Sequence, residues 1–168
     1  MTGPSGHPTT SIVIPAYNEQ ARFAALLTAL GRDAERELDR AGLSYLEAVI
    51  VDDGSSDGTR SLLERAAADE PRINPVFGKR NRGKGAAIRD GVAAARGDWV
   101  LFVDVDLSTP IRDVRGLAEE ARRAGAEIAI GSRDRHGSNV IAPLRRRLVG
   151  TLFNLAVRGA TGLDYADT

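Results

Sequence analysis

The run Leu101-Phe102-Val103-Asp104-Val105-Asp106 ends an apolar stretch with two carboxylates one residue apart. In extended backbone, side chains two apart point the same way, so Asp104 and Asp106 can serve one ion. Hard divalent cations such as Mg²⁺ or Mn²⁺ take such oxygen ligands, with water and phosphate completing the shell. Two acids here can also do no more than cap a following helix. Their position after a buried apolar run favours the metal.

Asp53 stands in a similar place, at the end of Val49-Ile50-Val51-Asp52-Asp53. A carboxylate there can accept a hydrogen bond from a ring N–H of a nucleobase. Ser55, Ser56, Asp57, Gly58 and Thr59 read instead as turn and helix-start residues. A third segment, Gly78-Lys79-Arg80-Asn81-Arg82-Gly83-Lys84, fits the G-x-x-x-x-G-K pattern of a phosphate-binding loop. The next residue is Gly85, however, where that loop needs Ser or Thr to reach Mg²⁺. An ATPase or kinase is therefore disfavoured. A charged loop over a diphosphate at a helix N-terminus remains physically sound, with Lys84 as its contact. Lys79 and Arg80 read equally well as solvated charges.

These residues need a scaffold. Apolar runs at residues 10–16, 45–51, 72–77, 99–103 and 127–130 have the pattern of strands, with Pro75 marking an edge. Between them helical spacing recurs. Phe23, Leu26, Leu27 and Leu30 form one stripe, with Asn18 as its cap and Gly42 as its stop. Leu62, Leu63, Ala66 and Ala67 form another, and residues 85–95 an Ala-rich third. Val114, Leu117, Ala118 and Ala121 follow a start signal at Thr109-Pro110. Alternating strands and helices predict an α/β, Rossmann-like nucleotide-binding fold, its mostly parallel central sheet flanked by helices. Ligands bind at the carboxyl ends of such strands. That rule points to residues 15–19, 52–53, 78–84, 104–106 and 132–133.

A chain of 168 residues suits one domain, expected over residues 9–168 after a loose leader at residues 1–8. Without cysteine, disulfides and Cys-ligated zinc or iron–sulfur clusters are excluded. The 23 basic residues balance 23 acidic ones, so indiscriminate nucleic-acid binding is not expected. No run approaches the roughly 20 apolar residues of a membrane-spanning helix. Basic residues do cluster locally, at Lys79, Arg80, Arg82, Lys84 and Arg89, and again at Arg145, Arg146 and Arg147. Residues 143–157 combine the second cluster with Leu144, Leu148, Leu152 and Leu155. Such a segment can lie on an anionic membrane surface or face a core with a solvated rim. His136, in a polar stretch, reads as an ordinary surface histidine.

Together, PAYNE at 15–19, VDDGSSDGT at 51–59, NRGKGAAIRDG at 81–91, DVD at 104–106 and GSR at 131–133 resemble the family 2 glycosyltransferases. These are GT-A enzymes with a DXD metal motif. The order and spacing are most similar to the polyprenyl-phosphate (dolichyl-phosphate) glucosyl- and mannosyltransferases, with residues 81–91 nearer the glucosyl branch. The likeness runs from Thr10 to the end of the chain. It implies that Pro15, Tyr17 and Glu19 line the nucleoside site, with Val51 and Asp53 against the base. It implies that Lys84, Asp104, Val105 and Asp106 meet the nucleotide sugar. Asp104 and Asp106 would hold Mg²⁺ or Mn²⁺, with Ser108 at a further metal-near position. Arg133 would complete the catalytic set by neutralising phosphate.

The resemblance further implies UDP-glucose as donor, or GDP-mannose, and a polyprenyl phosphate as acceptor. It places the protein in the cytoplasm, in peripheral contact with the cytoplasmic face of a membrane. A lipid phosphate is largely ionised at neutral pH, its second pKa being about 6, and needs no general base. The sequence offers no convincing base, which favours that acceptor. A family member with a hydroxyl acceptor, or a nucleotide-sugar-binding module without turnover, are the other readings. Family members continue past the Asp167-Thr168 ending, so the domain is expected to be incomplete at its C-terminus.

Overall fold

A computed structural model describes residues 6–108 and 110–131. The chain divides into two compact units, Met1–Ala126 and Glu127–Thr168, and the architecture is that of the first. Its strands are β1 (Thr9–Ala16), β2 (Ser44–Asp52), β3 (Ile73–Phe77) and β4 (Trp99–Phe102). Its helices are α1 (Phe23–Arg32), α2 (Ala34–Arg40), α3 (Thr59–Asp69), α4 (Lys84–Ala94) and α5 (Val114–Ala124). Among the described residues the strands form one parallel sheet in the order β3-β2-β1-β4. Pro75 falls on β3, which lies at an edge as its missing N–H requires.

Strand alternation sorts side chains onto two faces. Ile12, Ile14, Ala48 and Ile50 enter the larger core with Phe23, Leu26, Leu38 and Leu63. Val13, Val49 and Val51 pack on the other face with Ala87 of α4. Each large apolar side chain removed from water in this way contributes roughly 1.5–3 kcal/mol. α4 sits close to the sheet because position 91 is glycine: a Cβ there would come within 2.5 Å of Val13 Cγ1.

Five expectations change. The helix predicted to run on to Gly42 is two helices that meet at Asp33, which ends α1 and begins α2. Gly31 and Asp33 are both weak helix formers, which lets the axis break there. Asn18 does not cap α1, whose N-cap is Arg22. Instead Asn18 takes a left-handed φ of 55° and joins two loops. The fifth strand does not form: residues 127–131 have no ladder partner among the described residues, and Ile128 and Ile130 are exposed. A short apolar run becomes a strand only by pairing. The last helix is entered through a 3₁₀ turn, Ile111–Asp113, with Pro110 one residue before it; Thr109 lies outside the described residues. Finally, β4 buries one side only, leaving Val100 and Phe102 exposed.

Candidate active site

Parallel strands deliver their carboxyl ends to one side of the sheet. The chain moves from β1 outward to β2 and β3, then crosses back to β4 on the far side of β1. A crevice opens where the order reverses, between the ends of β1 and β4. There the structure has an open cleft of ≈ 420 Å³. Pro15, Tyr17 and Glu19 line it from the β1 end, and Asp53 from the β2 end. Lys84 lines it from the start of α4, and Asp104, Val105 and Asp106 from beyond β4. Ala16, Asn81, Gly83 and Ala87 complete the wall; Asn81 and Gly83 fall in the stretch 78–84 to which the strand-end rule pointed, while Ala87 was not singled out.

Val51 is not brought to the cleft. Its side chain is 1% exposed and packs in the second core with Val13 and Ala87. Along β2 its side chain falls on the same face as Val49, the face that α4 covers, whereas Asp53 lies beyond the strand's end. Arg133 lies outside the described residues, as do His136 and residues 143–157.

The β1 loop is stapled to the loop after β2. Asn18 accepts from the Ser56 amide at 2.9 Å, while its own N–H donates to Ser55 Oγ at 2.9 Å. The Glu19 amide donates to Thr59 Oγ1 at 2.9 Å, and the Gln20 amide to Asp57 Oδ2 at 3.2 Å. Gln20 Oε1 accepts from the Gly58 amide in return, at 2.9 Å. The residues from Ser55 to Thr59 are thus structural, as their types suggest. Asn18 and Gln20 are the partners that sequence reasoning missed, because their role lies in a loop-to-loop register that no local pattern encodes.

Asp53 is 3% exposed and takes up its oxygens differently from the expectation of a nucleobase partner. Oδ2 accepts from the Gly83 amide at 2.7 Å and the Arg82 amide at 3.0 Å; Oδ1 lies 3.1 Å from the latter. It anchors the loop that leads into α4. Gly54 makes room for this: its φ is +73°, and a Cβ there would lie 2.5 Å from the Arg80 carbonyl carbon.

Asp106 sits in a turn rather than in extended backbone. β4 ends at Phe102, and the Leu107 amide donates to the Asp104 carbonyl at 3.0 Å, closing a turn over Val105 and Asp106. Leu107 takes a φ of 51°, unusual for a bulky side chain. Both carboxylates still line the same cleft. Asp104 Oδ1 pairs with Lys84 Nζ at 2.7 Å. Asp106 Oδ1 accepts from the Ser108 amide at 2.9 Å. That backbone bond, aided by the Ser108 hydroxyl and by the charges of Arg22 and Lys84, holds the Asp106 carboxyl below its ordinary range. Ser108 therefore braces Asp106. Arg22, which pairs with Glu19 Oε2 at 2.7 Å, is a further cation near Asp106 that no sequence pattern marked.

The arrangement defines a nucleotide-type α/β domain with an acidic, lysine-bearing cleft at its switch point. The family model for Glycosyl transferase family 2 matches residues 11–162, and the chain belongs to that family. It is 35% identical over 158 residues to the undecaprenyl-phosphate 4-deoxy-4-formamido-L-arabinose transferase of Aeromonas hydrophila, covering 94% of this chain and 45% of that protein. It is 38% identical to the protein of that name from Pseudomonas paraeruginosa, covering 94% and 44%. The chain thus spans a little under half the length of these curated relatives. Among solved structures it resembles the mannosyltransferase PcManGT of Pyrobaculum calidifontis in complex with GDP-Man and Mn²⁺. That match has a TM-score of 0.54 and 28% identity, and covers 72% of this chain and 34% of that one. It also resembles S. aureus TarS 1–349 in complex with UDP-GlcNAc, with a TM-score of 0.51, 25% identity, and 68% and 32% covered. The fold is GT-A, as the motifs implied.

Proposed function

We propose that this chain carries the donor-binding cleft of a transferase that moves a sugar from a nucleotide diphosphate to a polyprenyl phosphate. The observation that carries the reading is the convergence of Tyr17, Asp53, Lys84, Asp104 and Asp106 on one cleft at the β1/β4 switch. The names of the curated relatives support the acceptor class, since both are undecaprenyl-phosphate transferases.

The donor set fits a hard divalent ion. Two carboxylates face one cleft, one of them accepting from the Ser108 amide, and no nitrogen or sulfur ligand is among them. Asp104 and Asp106 would hold Mg²⁺ or Mn²⁺; Mn²⁺ accompanies GDP-Man in the PcManGT complex. Bound there, such an ion supplies positive charge against a departing diphosphate. The protein's own part is positional. Pro15 and Tyr17 offer an apolar wall to the nucleoside, Asp53 fixes the loop that carries Lys84, and Lys84 adds a second positive charge near the diphosphate. A phosphate acceptor arrives already ionised, so no proton has to be removed by the chain.

Two donors have support. Residues 81–91 resemble the glucosyl branch and favour UDP-glucose over GDP-mannose, while the names of the curated relatives favour a nucleotide-activated 4-deoxy-4-formamido-L-arabinose. Membranes expressing the complete gene are incubated with each radiolabelled donor and extracted for lipid. Label is expected in a phosphate-linked lipid from one donor. Label only from the arabinose derivative would set aside the glucosyl assignment. Transfer to a soluble hydroxyl acceptor, with none to lipid, would refute the phosphate acceptor, and nucleotide-sugar binding without any transfer would reduce the domain to a binding module.

A further inference from the structure

We propose that Lys84 is an exchangeable counter-ion: it neutralises Asp104 in the free protein and moves to the nucleotide diphosphate when a divalent cation takes Asp104. The inference rests on the reading of Asp104 and Asp106 as the cation ligands and adds a competitor built into the site. Lys84 Nζ lies 2.7 Å from Asp104 Oδ1 and 5.2 Å from the centre of the Phe102 ring. A carboxylate and an aromatic face thus hold one ammonium group at the wall of the cleft.

The position is costly for the helix. Lys84 is the first residue of α4, and α4 has no acidic residue in its first turn. A cation at that end opposes the helix dipole, whose positive pole already lies there. Helix formation therefore does not account for a lysine at this place, whereas the Asp104 pairing does. Lysine also suits exchange, being a compact charge on a flexible four-carbon stem. Its side chain is 58% exposed, and that of Asp104 37%, so neither is locked by packing.

Lys84 occupies Asp104 Oδ1, and its charge repels a second cation at the same carboxylate. A divalent cation that takes Oδ1 displaces Lys84, and the freed ammonium lies beside the backbone amides that open α4, where a diphosphate would sit. The lysine thus opposes the cation when it comes alone and favours nucleotide once the cation is in place. Arg22, also near Asp106, pairs with Glu19 rather than with either acid, so it does not compete in the same way.

The test uses the 168-residue chain, with Mn²⁺ alone and then UDP or GDP at saturating Mn²⁺, followed by calorimetry. Lys84→Gln is expected to bind Mn²⁺ about two- to fivefold more tightly, the scale of an exposed ion pair. It is expected to bind the nucleotide diphosphate about tenfold more weakly. Arg89→Gln makes the same charge change on α4 without touching Asp104, and should alter neither. Opposite signs for the two ligands support the exchange. Unchanged or weaker Mn²⁺ binding in Lys84→Gln, or tighter Mn²⁺ with no loss of nucleotide, overturns it. Asp106→Asn leaves the Lys84–Asp104 pair intact and tests the underlying assignment: if it does not weaken Mn²⁺ binding, the ion binds elsewhere and the cation reading fails first.

Discussion

Both oxygens of the Asp53 carboxylate are committed to the backbone of the loop that leads into α4. That makes it a hinge between recognition and stability, because the same loop ends in Lys84. Removing a buried acceptor leaves its donors unpaired, at about 1–3 kcal/mol. Asp53→Ala should therefore lower the unfolding free energy by about 1–3 kcal/mol and also weaken nucleotide diphosphate binding. Asp53→Asn, which keeps one acceptor oxygen, should lose less of each. Urea denaturation and calorimetry on the three proteins measure both effects. A full-strength unfolding midpoint in Asp53→Ala would show that the loop is held by other contacts. The sequence identified Asp53 as important from its place after a strand. It could not show that the nearest donors are main-chain amides about thirty positions on, since backbone groups leave no trace in residue type.

At the opposite end of the sheet, one buried acid ties together β1, β2, β3 and the turn into β4. Glu47 is 0% exposed and accepts from the Ser11 hydroxyl at 2.9 Å, Asn74 Nδ2 at 3.2 Å and Arg96 Nη2 at 2.6 Å. Burial pushes its carboxyl up, but the bonds from the Arg96 guanidinium and amide and from Ser11 outweigh burial and hold it below its ordinary 4.5. A carboxyl lowered in the folded state adds stability above its ordinary value, and that stability is lost as pH falls through the folded value. The gap in urea stability between wild type and Glu47→Gln should therefore be largest at neutral pH and shrink as the solution is acidified below 4.5. A gap unchanged by acid would mean that Glu47 acts by shape alone. Elements were legible wherever burial writes a period into the chain. The unbroken β-branched run of Ile12, Val13 and Ile14, and the spacing of Phe23, Leu26 and Leu30, marked β1 and α1. What stayed hidden depends on partners far along the chain: the ladder that residues 127–130 lack among the described residues, and the packing of Val51 against α4. The cleft was legible because three of its walls are strand ends, which the βαβ alternation orders without any side-chain detail.

For the molecule as a whole, charge balance bears on how a lipid acceptor would be reached. With 23 basic and 23 acidic residues the chain has no net attraction to an anionic bilayer. None of the described helices is long and apolar enough to cross a membrane. Any attraction would then have to come from local charge, and Arg145, Arg146 and Arg147 beside Leu144 and Leu148 are the densest combination of charge and grease in the sequence. A basic side chain near an anionic surface is worth about 1 kcal/mol, so three together shift partitioning by roughly a hundredfold. We expect the chain to sediment with vesicles of mixed phosphatidylserine and phosphatidylcholine and not with phosphatidylcholine alone. Binding should weaken as salt rises, because the screening length falls to about 8 Å near physiological ionic strength. Replacing the three arginines by glutamine should remove most of the binding while leaving the unfolding midpoint unchanged. Equal sedimentation with neutral and anionic vesicles would point to the leucines instead, and none with either would refute membrane contact through this segment.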